Sequence, residues 1–353
     1  MKPLPRYWAR HHEIVTFRGG TTWDMTISGA SFTSQEDALR DARERLARFV
    51  ASGGPDGDTP RDWYYPDRHL PEELLEEIHG EGGELIGAIT RNRYGAAILN
   101  TDAVLITDVD IRVPSAREER RAARAATGGG RDATGGGRDA TGGGRDAAGG
   151  GRDAGVDRGS GLLGRLFGRG STSPQGHPTG STGPGAGPGA GTPSPSGFEA
   201  RAQQEIARIT GLISDFAVRN PGLGVRTYRT RNGFRVLITG ADAPPRSERA
   251  AAIMGELASD DLYMTLCRVQ ESYRARLTPK PWRIEVRRIH GEGPWWAGTA
   301  LQHDWVREYT AASEPYAVCQ LVSETGPVPS AEEQRLIELH DRATRPTSGL
   351  PLA

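Results

Sequence analysis

Residues 127–154 repeat one heptad four times, Thr/Ala-Gly-Gly-Gly-Arg-Asp-Ala, within a longer stretch from about Pro114 to Gly197 dominated by Gly, Ala, Ser, Thr, Pro, Arg and Asp. A seven-residue period suits a coiled coil only when apolar residues fill its a and d positions, and three glycines per repeat oppose any helix. Such a stretch has too little apolar surface to offset the entropy of ordering, so residues 113–197 are expected to be a disordered linker. The Arg/Glu/Ala-rich run Ser115–Ala126 reads as a helical extension, and Leu162-Leu163-Gly164-Arg165-Leu166-Phe167 as either a docking motif for a protein partner or an incidental patch. Removing the stretch leaves about 270 residues, enough for one large domain or two small ones. Neither remaining piece, 1–112 or 198–353, carries a self-sufficient set of elements. One discontinuous α+β domain interrupted by a surface insertion is the expectation, because loop-closure entropy grows slowly with loop length.

The first piece reads as strands Glu13–Phe17 and Trp23–Ile27 around Gly19-Gly20, then a helix capped by Ser34 that runs to Val50 with Ala38, Ala42, Leu46 and Phe49 as its apolar stripe. A Gly53-Gly54-Pro55 loop and aromatic Trp63-Tyr64-Tyr65-Pro66 precede a short helix expected from Pro71 to Ile78. Strands follow at Glu84–Thr90 and Ala96–Leu99. In the second piece, Ile206, Ile209, Ile213 and Phe216 have helical spacing over Glu199–Val218. Strands Arg226–Arg229 and Phe234–Thr239 flank the hairpin signal Arg231-Asn232-Gly233. Helices over 247–257 and 261–274, strands over 282–286 and 317–322, and a C-terminal helix opening on the capping box Ser330/Glu333 complete the pattern.

Composition narrows function mostly by exclusion. A formal net charge of −1 gives no global argument for nucleic acid or for acidic partners. Of the 44 basic residues only Lys2 and Lys280 are lysine, a skew that GC-rich coding produces and that weakens any argument from arginine content. Cys267 and Cys319 are too few for a disulfide framework or a cysteine zinc site and read as small buried residues. The N-terminus lacks the apolar core of a signal peptide and no run reaches the length of a membrane span, so a cytoplasmic protein without a membrane partner is expected. The eight histidines show no zinc-protease spacing, and ordered sequence holds no P-loop, nucleophile elbow or dinucleotide fingerprint.

The chemistry-bearing feature is Asp108-Val109-Asp110 at the end of the apolar run Ala103–Thr107. Side chains alternate along a strand, so both carboxylates fall on one face. Adjacent carboxylates repel unless a cation lies between them, and Mg²⁺ or Mn²⁺ with a phosphate-bearing substrate is the usual solution. The bland alternative is a pair that caps a turn or binds arginine, with Arg112 adjacent. A second unusual stretch is Ser272–Arg283, where Arg274, Arg276, Lys280 and Arg283 alternate with Tyr273, Trp282 and two prolines. It is read either as a stiff loop that grips phosphates and stacks on a base or as a rigid connector.

The order of these parts resembles the archaeo-eukaryotic primase and primase-polymerase superfamily. There an apolar strand ends in Asp-x-Asp, a helix follows, and a strand pair carries Thr/Ser-x-x-Gly-x-His. The first motif corresponds to Val104–Asp110 and the second to Thr230-Arg231-Asn232-Gly233-Phe234-Arg235, with Arg235 where the family has histidine. The resemblance implies an RNA-recognition-motif-type sheet packed by helices. It also implies divalent-metal-dependent nucleotide or nucleic-acid binding, with nucleotidyl transfer or a catalytically inactive interaction module as the two outcomes. On that basis Asp108 and Asp110 are the expected metal ligands, with Glu285 as a third catalytic acid. Thr230, Gly233, Arg235, Arg276, Lys280 and Arg283 are the expected substrate contacts.

Overall fold

The computed structural model describes residues 1–17, 20, 22–52, 69–113, 197–287, 289 and 294–353. The expected linker, with its heptads, helical extension and apolar island, lies outside the described residues, as do the 53–55 loop and the 63–66 aromatics. Residues 1–110 together with 208–353 make the first of the two units into which the chain divides. Within the first, β1 (Tyr7–Thr16) and β2 (Thr22–Ser31) form an antiparallel ribbon carrying helix α1 (Gln35–Ala51). Ser34 caps α1 by accepting from the Asp37 amide at 3.1 Å. The helix lies so close to β2 that a Cβ at Gly29 would come within 2.2 Å of the Ala38 carbonyl oxygen. That is why the buried face of α1 begins with Ala38 and Ala42, both fully buried.

The chain is mixed α+β, with antiparallel sheets and, among the described residues, six α-helices. One four-stranded sheet has the order β3 (Glu73–His79), β4 (Leu85–Arg91), β5 (Ala97–Thr101), β9 (Tyr273–Arg276). The other has the order β6 (Leu105–Asp110), β8 (Gly233–Thr239), β7 (Gly224–Thr230), β10 (Cys319–Thr325). Because β8 lies between β6 and β7, helix α2 (Gly197–Arg219) is the crossover of a split βαβ unit. Its stripe Ile209, Ile213 and Phe216 is buried. Helices α3 (Glu248–Glu256), α4 (Asp261–Gln270), α5 (Ala300–Ser313) and α6 (Ala331–Thr344) complete the set.

Three expected elements differ. Residues 71–78 are not a helix: Glu73–His79 is β3, paired with β4 through a bulge at Leu75, so sheet pairing outranks a weak helical pattern. The helix expected over 261–274 stops at Gln270, where Glu271 turns left-handed at φ 53°. The chain then continues as β9, which buries Tyr273 and Ala275 completely on alternate positions. Residues 282–286 are not a strand. Pro281 opens a single 3-10 turn, and Ile284 and Val286 drop into a cluster with Trp305 and Tyr309 of α5.

The outer edges of both sheets are bulged, at Leu75 in β3 and at Val322 in β10, which blunts pairing with another chain. The inner edges, β6 and β9, run beside each other and are joined by side chains. Tyr263 of α4 places its hydroxyl 3.0 Å from the Ile106 carbonyl of β6 and 2.9 Å from the Arg274 carbonyl of β9. One O–H serves only one carbonyl at a time, while the oxygen accepts from the Arg274 amide at 3.3 Å. Removing this hydroxyl strands strand-edge carbonyls in the interior. Tyr263→Phe is therefore expected to lose about 1–3 kcal/mol of stability in urea denaturation, the cost of a buried unsatisfied group.

Candidate functional site

The second sheet carries a polar row on one face, and its centre is Arg235. Asp108 of β6, Arg235 of β8 and Tyr228 of β7 are direct cross-strand neighbours. The Arg235 side chain is only 1% exposed, whereas Asp108 beside it is 34% exposed. Arg235 Nε donates to Asp108 Oδ1 at 3.0 Å, and a second nitrogen lies 3.5 Å from Oδ2. The remaining nitrogen donates to the Arg276 carbonyl at 2.9 Å and to His340 Nε2 at 3.3 Å. Burial opposes the charge on Arg235, but Asp108 holds its pKa above the ordinary arginine value.

His340 sets the direction of the hydrogen bonds on the far side of Arg235. Arginine can only donate, so Nε2 accepts and Nδ1 carries the proton toward Asp341 Oδ1 at 2.9 Å. Burial and the Arg235 charge push the fully buried imidazole below its usual 6.5, against the pull of Asp341, so the ring is neutral. Asp341 also accepts from the Tyr228 hydroxyl at 2.6 Å and from Arg226 at 2.9 Å, and Arg226 pairs onward with Glu324. Burial alone would raise the Asp341 pKa, but the hydrogen bonds from His340 and Tyr228 hold it below the ordinary carboxylate value. Side chains thus run in an unbroken chain from the open end of β6 through the sheet to the exposed edge of β10.

At the open end, Arg276 joins Asp108 and Asp110. Burial and the neighbouring Arg235 guanidinium lower its pKa, while Asp108 and Asp110 oppose the shift. Its Nε is buried without a hydrogen-bond partner. Among the described residues no hydrogen bond or ion pair engages the rest of its half-buried guanidinium. Asp110 is exposed, on the same face as Asp108.

Helix α5 sets the turns that border this end. Trp305 Nε1 donates to the Arg287 carbonyl at 2.6 Å, and the Tyr309 hydroxyl donates within the Thr278–Pro279 corner, 2.8 Å from Thr278 Oγ1. The β4–β5 turn packs on the same helix, so closely that a Cβ at Gly95 (φ +86°) would meet Trp305 at 2.4 Å. The result places Tyr94 edge-on to Trp282, ring centroids 5.2 Å apart, with Arg93 over Tyr94 at 4.7 Å and Lys280 over Trp282 at 5.5 Å. Arg283 reaches the β7–β8 turn, where the Asn232 amide, in the orientation that satisfies both of its groups, accepts from it at 2.9 Å.

The structure brings Asp108, Asp110, Arg235 and Arg276 together, with Lys280 and Arg283 on the adjoining turn. The other expected residues are placed differently. Arg235 faces the interior and is used within the fold. Gly233 lies opposite Asp110, and a Cβ there would come within 2.1 Å of the Val109 carbonyl oxygen, so its role is close strand approach. The Thr230 carbonyl accepts from Arg229, which closes the β7–β8 turn from its buried side. Glu285 is exposed at φ 62° beyond the 3-10 turn, because the segment is not the strand that would have carried it to the aspartates. Among the described residues no group of three or more His, Cys, Asp or Glu could hold a metal ion, so Glu285 completes no triad. No helix among them is long and apolar enough to cross a membrane.

His340, Asp341 and Tyr228 escaped sequence reasoning. One signal was available: Leu336, Ile337, His340 and Thr344 share the buried stripe of α6, and a histidine on an apolar stripe needs buried partners. The chain matches no family model, no curated protein and no solved structure, so the site is read from its own geometry.

Asp108→Asn leaves a buried guanidinium without its counter-charge and is expected to cost about 3 kcal/mol, the low end for a broken buried pair because Asp108 is partly solvated. An Asp108→Ala/Arg235→Met double variant retains neither charge and is expected to be more stable than the sum of the two single changes in chemical denaturation. The pKa of His340 is lower folded than unfolded, so the native state resists its protonation. Stability is expected to be intact above about pH 6.5 and to fall as pH drops below it toward the folded pKa, with a shallower slope in His340→Gln.

Proposed function

We propose that this chain binds a phosphate-bearing ligand, a nucleotide or a nucleic-acid strand, at the cationic end of the second sheet. The observation that carries this reading is Arg276. Its guanidinium lies beside a second one, has a buried unpartnered Nε, and uses none of its donors on described protein groups. Two desolvated guanidinium groups side by side are costly, and an oxyanion offers the bidentate fork that offsets them. Lys280 and Arg283 extend the positive charge along the adjoining turn, and Trp282, 37% exposed, borders it with Tyr94. Arg235 supports the site from beneath through the Arg276 carbonyl, and in this reading does not itself touch phosphate.

Fluorescence anisotropy of a short labelled single-stranded oligonucleotide, with ATP as competitor, tests this. Arg276→Gln is expected to weaken binding by about 10–100-fold, the loss of a charge-assisted pair, with the thermal stability of the free protein not lowered, since the repulsion with Arg235 is relieved. Lys280→Ala is expected to reduce the logarithmic salt slope by about 1. Undiminished binding by Arg276→Gln would sink the proposal.

A second reading rests on Asp108 Oδ2, which is only 3.5 Å from Arg235 and shares its face with Asp110. Two carboxylates, water and a ligand phosphate suffice for Mg²⁺ or Mn²⁺, the ion that nucleotidyl transfer would require. Because Asp108 also holds Arg235, the discriminating variant is Asp110→Asn, at an exposed position, expected to alter stability by no more than about 1 kcal/mol. Calorimetric titration with Mg²⁺ and ATP then decides: a dependence on metal that survives the change removes the carboxylate pair from the reading.

A further inference from the structure

Both four-stranded sheets blunt their outer edges with a bulge, but the β1–β2 ribbon does not. Its ten residue pairs, from Tyr7↔Ser31 to Thr16↔Thr22, run without a register shift, and neither strand contains proline or lysine. Among the described residues no strand pairs with the other side of β1. A long, regular edge of this kind is a template for another strand.

Side-chain contacts show which backbone groups that edge presents. In an antiparallel pair, opposite residues alternate between those that bond each other and those whose N–H and C=O point away. The Trp8 carbonyl accepts from the Gln35 side chain at 2.7 Å, and its partner Ala30 donates its amide to Asp41 at 3.0 Å. The Ser28 carbonyl, opposite Arg10, accepts from Arg45. The outward set on β1 is therefore the even-numbered one: Trp8, Arg10, His12, Ile14 and Thr16. Helix α1 answers Trp8, but among the described residues no side chain hydrogen-bonds to the backbone of Arg10–Thr16. The side chains there are open as well: Ile14 is 67% exposed, and Arg10, His12, Glu13 and Thr16 are exposed with it.

Charge selects the occupant and its register. A second copy adds β1 against β1 about a two-fold axis normal to the ribbon, which sets outward residues opposite outward residues. An axis at Arg10 opposes Arg10 to itself, and an axis at Glu13 opposes Glu13 to itself. An axis at His11 opposes His11 to itself and Arg10 to His12. An axis at His12 alone sets His11 against Glu13, twice, and does so where side chains approach most closely. His11 Nε2 already lies 3.0 Å from Glu13 of its own strand, so each carboxylate would stand between two imidazoles.

We propose that β1 is the contact of a two-fold dimer of this chain, in which two ribbons join at His12 into one four-stranded antiparallel sheet with both α1 helices on the same face. The dimer is independent of the phosphate reading and stands or falls without it.

Sedimentation equilibrium of the full-length chain over a concentration series, with mild oxidation of cysteine variants, provides the test. A monomer–dimer equilibrium is expected. His12→Cys, on the axis with Cα atoms about 5.5 Å apart, should cross-link through a disulfide. Arg10→Cys and Ile14→Cys should not, because each residue lies about 14 Å along the strands from its own copy. Cys267 and Cys319 are fully buried and do not compete. Glu13→Arg should weaken dimerisation by about 3–30-fold, two charge pairs being lost at once, and His11→Glu/Glu13→Arg should restore it. Ile14→Pro removes an outward N–H while sparing the β1–β2 ladder, and should leave a monomer. Should Ile14→Pro fail to fold, the cross-links and the charge swap decide. A monomer at every concentration, a dimer that folded Ile14→Pro retains, or cross-linking through Arg10→Cys or Ile14→Cys in place of His12→Cys would overturn the proposal.

Discussion

A guanidinium with almost no access to water has to be answered by protein, and in this fold the answer to Arg235 organises everything around it. Its nitrogens reach β6 through Asp108, β9 through the Arg276 carbonyl, and α6 through His340. Those three elements come from both sides of the long insertion and from the C-terminus. Hydrophobic burial gives each sheet its core, but it is non-directional and would tolerate sliding. A buried charge does not tolerate it: a shift of β6 by one residue would turn Asp108 to the opposite face and leave Arg235 unpaired. The ion pair thus sets the register of β6 against β8, and with it the position of Asp110 and the open end of the sheet.

The same constraint explains how two sheets meet without a continuous ladder. At the β6–β9 seam, backbone groups that would otherwise pair across strands are met by the Tyr263 hydroxyl and the Arg235 guanidinium. Side chains can bridge a gap that backbone cannot, because their reach adjusts where strands diverge. The seam also explains why β9, only four residues long, is stable: it is held by β5 on one side and by these bridges on the other.

Much of the element sequence was legible because it is written locally. Ser34 and Ser330 as caps, the Ile209/Ile213/Phe216 stripe and the Asn232-Gly233 turn all specify structure within a few residues. What failed was set by distant partners. Glu73–His79 has a sequence fit for either state, and only β4 decides for strand. Trp282–Val286 alternates like a strand, but two prolines and the Trp305/Tyr309 cluster draw Ile284 and Val286 inward without a ladder. At the site, the apolar run ending in Asp-x-Asp and the Asn232-Gly233 hairpin were legible as parts of one sheet. The answer to Arg235 was not, since His340 lies 105 residues away and nothing near Arg235 announces it.

The two chemical readings of Asp108 and Asp110 are linked by charge. A lone cation there would face Arg235 and Arg276, both already positive, and Asp108 would have to loosen from Arg235 to coordinate it. A lone anion would meet Arg276 favourably but have Asp110 nearby. On the proposed reading, the arrangement that balances these charges would be a cation and an oxyanion arriving together, the cation on the carboxylates and the oxyanion on Arg276. Phosphate oxygens bridging a hard cation have that composition. On that reading, electrostatics would make any metal affinity at this end of the sheet conditional on a phosphate ligand, with a weak response to metal in the absence of nucleotide.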